Sequence, residues 1–204
     1  ERTSRVLRET LIGGTSSFFG GSAIPIATTS DFQGSEEFNE FVPRVAVAWQ
    51  PNDDNNLYLS YSEGFKGGSF DPRGQTSAAP DLDGDGDIDE QDIFEFMQFE
   101  PEFVETVELG WKTSALDGRL KSAIAVFFSN YTDVQIPGSV GVDTTGDGVT
   151  DSFIGITSNA ADADIRGIEW EAQAYLGESL LTGGDSRSAA WTVGYIDAEF
   201  NEFV

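Results

Sequence analysis

Two-residue alternation between apolar and polar side chains, repeated in segment after segment, is the feature that most limits how this chain can fold. In Phe41 to Gln50, FVPRVAVAWQ, Val45, Val47 and Trp49 share one face, and Arg44, Ala46, Ala48 and Gln50 share the other. Only an extended strand has a side-chain period of two. Leu57 to Phe65 repeats the pattern, with Leu57, Leu59 and Tyr61 against Tyr58, Ser60 and Ser62. Val107, Leu109 and Trp111 oppose Thr106, Glu108, Gly110 and Lys112, and Leu120 to Gln135 gathers Ile124, Val126 and Phe128 on one side. In Ala163 to Leu176, Ile168, Trp170, Ala172 and Leu176 stand opposite Glu169, Glu171 and Gln173; in Ala189 to Phe200, Trp191, Val193 and Tyr195 oppose Thr192 and Gly194. The expected fold class is an all-β antiparallel meander.

The connections alternate too. Tight turns at PNDDNN and SALDGR are separated by long insertions at 67–102 and 136–154. Every long loop then leaves the same edge of the sheet, as in an outer-membrane barrel with short turns on one side and long loops on the other. One strand face is aliphatic and aromatic. The other carries Arg44, Glu108, Lys112, Glu169, Glu171 and Gln173, and the first five are the candidate lumen-facing residues. A soluble sandwich shows the same alternation with its apolar face inward. Strands of about ten or more residues fit a tilted membrane-spanning wall better than sandwich strands of about five or six. Tyr61, Trp49, Trp111, Trp170 and Trp191 lie near strand ends, where an interfacial girdle places them, buried sandwich aromatics being the alternative.

About six full strands can be counted where the smallest membrane barrel needs about eight, so residues 1–204 are expected to be part of a larger barrel domain. Residues 1–40, with GGTSSFFGGSAIPIATTSD, predict an outside loop preceded by a strand remnant at Arg5 to Ile12. FNEFV occurs at Phe38 and again at Phe200 with unmatched flanks, so it is no structural repeat.

Within the first long insertion, Asp81 to Asp92 reads DLDGDGDIDEQD. An EF-hand loop places oxygen ligands at positions 1, 3, 5, 7, 9 and 12 with glycine at 6. Asp81, Asp83, Asp85, Asp87, Asp89 and Asp92 occupy those positions, Gly86 is the glycine, and Ile88 is the apolar residue that tucks such a loop against its support. Hard carboxylate oxygens at this density predict a calcium ion, with a solvated acidic turn as the plain alternative. Asp92 is shorter than the usual Glu, and only Gln91 to Phe99 could form a flanking helix. A weaker pattern, Asp143, Thr145, Asp147 and Asp151 around Gly148, reaches Ile154 at its twelfth place and is explained equally by an Asp/Gly turn.

A formal net charge of -25 argues against nucleic acid and against anionic membrane surfaces as partners. The chain has neither cysteine nor histidine, which removes disulfides, thiol sites and the commonest general base. No apolar run approaches the roughly 20 residues of a membrane helix. ERTSRVLRET lacks the apolar core of a signal peptide, so the true N-terminus is expected to lie elsewhere.

LYLSYSEGFKGGSF (57–70), PEFVETVELGWKTSALDGRL (101–120), AVFFSNYTDVQ (125–135) and SNAADADIRGIEWEAQ (158–173) closely resemble consecutive strands in the barrel of TonB-dependent outer-membrane receptors. The resemblance covers about Phe41 to Phe203. It implies one piece of the wall of a barrel of about 22 strands around an N-terminal plug, embedded in outer-membrane lipid and driven by TonB. The implied cargo is an iron chelate such as an iron–siderophore complex, cobalamin or another large nutrient. No TonB box, plug domain or closing terminal strand is found in the sequence itself. Calcium at the Asp81 loop would then shape a surface loop, as a structural clasp or as a lid near the ligand. Enzymatic activity is not expected: Glu169 and Glu171 share a strand face but lack a partner base, and no nucleophile elbow, P-loop or zinc signature occurs. The alternative from another class is a secreted, calcium-stabilised β-sandwich adhesion module.

Overall fold

A computed structural model describes residues 2–12, 24–143, 148–178 and 183–203. Its strands are β1 (Arg2–Ile12), β2 (Ile24–Glu36), β3 (Arg44–Asn52), β4 (Asn55–Lys66), β5 (Ser69–Phe70), β6 (Gln98–Phe99), β7 (Glu102–Ala115), β8 (Leu120–Val142), β9 (Ser152–Glu178) and β10 (Ser186–Phe203). One helix, α1 (Glu90–Met97), and a 3-10 turn at Thr76–Ala78 complete the elements. The main sheet has six strands in the order β10-β9-β8-β7-β4-β3, so each strand lies beside its sequence neighbour once the β5–β6 insertion is set aside. The expected antiparallel meander is present. Among the described residues no helix is long and apolar enough to cross a membrane.

The chain divides into two compact units. One comprises Phe41–Phe65, Phe103–Thr132 and Ala161–Val204 and contains the alternating segments. Its hairpins are tight for identifiable reasons. Between β3 and β4, Asn52 Oδ1 accepts from Asp54 N at 3.1 Å and Asn55 Nδ2 at 2.8 Å. Between β7 and β8, Leu116, Asp117 and Gly118 all take positive φ (55°, 54° and 80°), a left-handed run matching the twist of the flanking strands.

The other unit comprises Glu1–Glu40, Lys66–Glu102 and Asp133–Ala160. Here the structure corrects two sequence expectations. Residues 24–36, expected to be loop, form β2, paired antiparallel with β1 from Arg2↔Glu36 to Ile12↔Ile24. The expected loop 136–154 is mostly strand, since β8 runs on to Val142 and β9 begins at Ser152. These segments escape notice because their inward residues are small or isolated: Ser30, Phe32 and Gly34 are buried while Asp31, Gln33 and Ser35 are exposed.

Burial of Val6, Phe32, Phe70, Ala79, Phe96, Met97 and Ile154 gives this unit its own core. Phe70 lies 5.0 Å from Phe32 and 5.0 Å from Phe94, ring centre to ring centre. The first insertion is thus folded rather than a bare loop, and α1 at 90–97 matches the short helix expected within Gln91 to Phe99.

Candidate functional site

In the sheet unit the strands place the five polar candidates on one face. Arg44 pairs with Ser62, and Ala48 on the same face pairs with Tyr58. The Tyr58 hydroxyl donates to Glu108 Oε1 at 2.7 Å, and Lys112 Nζ sits 5.5 Å from the Tyr58 ring centre. Glu108 in turn pairs with Phe127, whose ring lies against Gly167, two residues before Glu169 on β9. Arg44, Glu108, Lys112, Glu169 and Glu171 therefore share a surface. Toward the tight turns it forms a recess of about 630 Å³ whose lining includes Asn56, Lys112, Lys121, Glu171 and Gln173.

Beside Tyr58 and Phe127 this polar face is packed, while Arg44, Lys112, Glu169 and Glu171 are themselves exposed. Gly110 is buried beneath Tyr58, and a Cβ there would stand 2.2 Å from the ring. The opposite, apolar face is open: Val47 is 66% exposed, Leu59 52%, Leu109 55% and Ile168 39%. Among the described residues of this unit no second sheet covers them, whereas a sandwich holds its apolar face dry beneath one. All four tryptophans stand on this open face, toward the tight turns. Trp111 Nε1 donates to Asn55 Oδ1 at 3.0 Å and Trp170 Nε1 to Ser122 Oγ at 2.8 Å, so each indole has an apolar body and a satisfied polar edge.

In the loop unit, Asp71 is buried with both oxygens occupied. Oδ1 accepts from Arg73 N at 2.7 Å and Arg73 Nε at 3.1 Å; Oδ2 accepts from Arg73 Nη2 and Thr157 Oγ1, each at 2.7 Å. Burial pushes its carboxyl up, but the hydrogen bonds and charge of Arg73, with Thr157, outweigh that and hold it below the usual carboxylate value. Two amides fasten the ends of the insertion. Gln135 Nε2 donates to the carbonyls of Lys66, Gly67 and Glu100 at 3.2, 3.2 and 2.9 Å. Asn159 Oδ1 accepts from Glu100 N at 2.8 Å, and its Nδ2 donates to the carbonyls of Glu100 and Asp133 at 2.9 and 2.7 Å. Asp71, Gln135 and Asn159 were not sequence candidates: their partners are 2 to 86 residues away, and no local spacing links them.

The acidic loop divides the proposed ligand set. Carboxylate oxygens of Asp81, Asp83 and Asp85 lie within 4.8 Å of one another. Gly84 and Gly86 take φ of 78° and 96°, and both donate N–H bonds to Asp81, at 2.6 and 3.0 Å. Asp89 and Asp92 are otherwise engaged: they form the capping box of α1. Asp92 is buried and accepts from the N–H groups of Leu82, Asp83 and Asp89 at 2.7, 3.3 and 3.0 Å. The bonds from Asp89 and Leu82 hold its carboxyl below the ordinary value. Ile88 is 57% exposed, so it does not tuck the loop against a support as the sequence pattern suggests. Of the weaker pattern, Thr145 and Asp147 lie outside the described residues; Asp143 Oδ2 accepts from Gly148 N at 2.6 Å, and Asp151 N donates to the Val142 carbonyl at 3.1 Å.

Comparison with known proteins gives a match to the family described as TonB dependent receptor-like, beta-barrel, over residues 15–202. Among solved structures, the ferric yersiniabactin uptake receptor FyuA from Yersinia pestis is similar with a TM-score of 0.58 at 18% identity, over 88% of this chain and 22% of that one. The ferripyoverdine receptor of the outer membrane of Pseudomonas aeruginosa aligns with a TM-score of 0.43 at 21% identity, over 87% of this chain and 19% of that one. The chain thus spans about a fifth of the length of the receptors it matches.

Proposed function

The chain belongs to the family of TonB-dependent receptor-like β-barrels of the outer membrane, and on that footing we propose that it builds part of the wall and outer loops of an active transporter for an iron–siderophore chelate or a similarly large nutrient. The observation that carries this is the segregation of the sheet's two faces, with large apolar side chains left exposed on one of them. Its apolar face is open and suits lipid, while its polar face, with Arg44, Glu108, Lys112, Glu169 and Glu171, suits a wet lumen that surrounds a plug. TonB and the plug are the partners this implies. FyuA, which has a similar fold, takes up ferric yersiniabactin, so ferric chelates are the first cargo to try. A strain lacking the complete receptor is expected to lose energy-dependent uptake of one chelate and to regain it on complementation. Unchanged uptake across ferric siderophores, cobalamin and glycans would overturn the proposal.

We also propose that calcium is held at the Asp81 loop, favoured by the approach of Asp81, Asp83 and Asp85 to within 4.8 Å. Like charges this close repel, and a divalent cation would relieve them. The role is that of a clasp, because Asp92 and Asp89 already tie the loop to α1. Chelation is expected to increase protease cleavage near Asp81; reduced ligand uptake on chelation would make the loop a lid instead.

A further inference from the structure

Each hairpin of the sheet unit offers the same short ladder of outward apolar pairs. In β3–β4 they are Trp49·Leu57, Val47·Leu59 and Val45·Tyr61. In β7–β8 they are Trp111·Ile124, Leu109·Val126 and Val107·Phe128. In β9–β10 they are Ala172·Trp191, Trp170·Val193 and Ile168·Tyr195, and there Ala174·Ala189 adds one small apolar pair toward the turn. The next outward position is polar in every hairpin: Glu63 on β4, Glu105 opposite Asn130, and Arg166 opposite Asp197. Asp164 opposite Glu199 follows. The groups of this row bond to one another: Arg166 donates to Asp197 Oδ2 from Nε at 3.0 Å and Nη2 at 2.7 Å, and Asn130 Nδ2 donates to Asp164 Oδ1 at 2.9 Å.

We propose that this face fits a thin hydrocarbon slab, ending between the third apolar pair and the charged row. Charged side chains on the lipid face are costly in mid-membrane and nearly free of penalty only near the interface. A row of them on neighbouring strands therefore marks the border. Three pairs at two-residue spacing cover roughly 20 Å along a strand, or about 15 Å along the membrane normal after a tilt of about 40°, against an ordinary apolar band of about 25 Å. The partner is bilayer with short or locally disordered acyl chains, whatever the receptor carries. The competing border is one outward step higher. Phe65 and Phe103, stacked with centres 6.5 Å apart, stand there, and hydrocarbon reaching them would submerge Glu63 and Glu105.

The test uses the complete receptor in a cysteine-free background, reconstituted in phosphatidylcholine vesicles, with single spin labels on Val107→Cys, Asn130→Cys and Phe103→Cys. Collision with oxygen is expected to dominate at 107, and collision with a water-soluble nickel chelate at 130 and 103. Oxygen dominance at 103 would overturn the thin slab. Independently, the unfolding lifetime of the unmodified receptor is expected to be several-fold longer in dilauroyl than in dioleoyl vesicles. An equal or longer lifetime in the thicker bilayer would also overturn it.

Discussion

Tyr58 lies across Gly110 so closely that the glycine has no room for even a methyl group: an added Cβ would meet the ring at 2.2 Å. The contact lets the phenol reach Glu108 at 2.7 Å and puts its face toward Lys112. A glycine in a strand interior normally weakens the strand, and here the ring covers the exposed backbone. Phe127 treats Gly167 the same way on the next pair of strands.

Gly110→Ala is therefore expected to destabilise the receptor by about 1–3 kcal/mol through overpacking. In the Tyr58→Ala background the same substitution is expected to cost much less. Unfolding in detergent, followed by heat-dependent gel mobility, measures both, and equal costs in the two backgrounds would contradict the packing account.

A charge added to the apolar face is expected to matter more than one removed from the polar face. Leu109→Lys is expected to cost about 2–4 kcal/mol, the range for a cation at the lipid midplane. Glu171→Gln, beside the recess, is expected to leave folding nearly unchanged. Folding yield into vesicles distinguishes the two.

Acid is expected to loosen the loop unit through Asp71. Its carboxyl ionises more easily folded than unfolded, so it stabilises the unit above the ordinary carboxylate value of about 4, and that contribution fades as pH falls through the lowered folded value. Asp71→Asn, which removes the charge and turns one of the two acceptor oxygens facing Arg73 and Thr157 into a donor, is expected to cost about 1–3 kcal/mol at pH 7 and to flatten this acid dependence. Protease susceptibility of residues 67–101 between pH 3 and 7 reads both effects.

Asp92 and Asp83 are expected to separate helix capping from metal binding. Asp92→Ala removes the shared acceptor of the Leu82, Asp83 and Asp89 N–H groups and is expected to cost about 1–3 kcal/mol with or without chelator. Asp83→Asn is expected to change only the response to calcium. Equal chelator sensitivity of Asp83→Asn and the unmodified receptor would leave the loop as a solvated turn.

The main sheet is legible in the sequence because its outward residues are large and apolar: Val45, Val47 and Trp49, or Val107, Leu109 and Trp111, expose the period of two at once. In β2 the inward residues are Ser30, Phe32 and Gly34, too small and mixed to signal a strand, and only pairing with β1 reveals it. The same limit hid Gln135 and Asn159, whose work is to bond carbonyls distant in sequence. The acidic loop shows the converse. Its spacing is plain to the eye, yet Asp89 and Asp92 cap a helix, a use that the repeat of aspartates conceals.

Because Trp49, Trp111, Trp170 and Trp191 crowd toward the tight-turn edge of the open face, indole emission from this region carries an optical label for one leaflet only. Quenchers delivered from the opposite surface should leave that signal bright. The orientation of this segment in a vesicle can thus be scored by light, without attaching any dye.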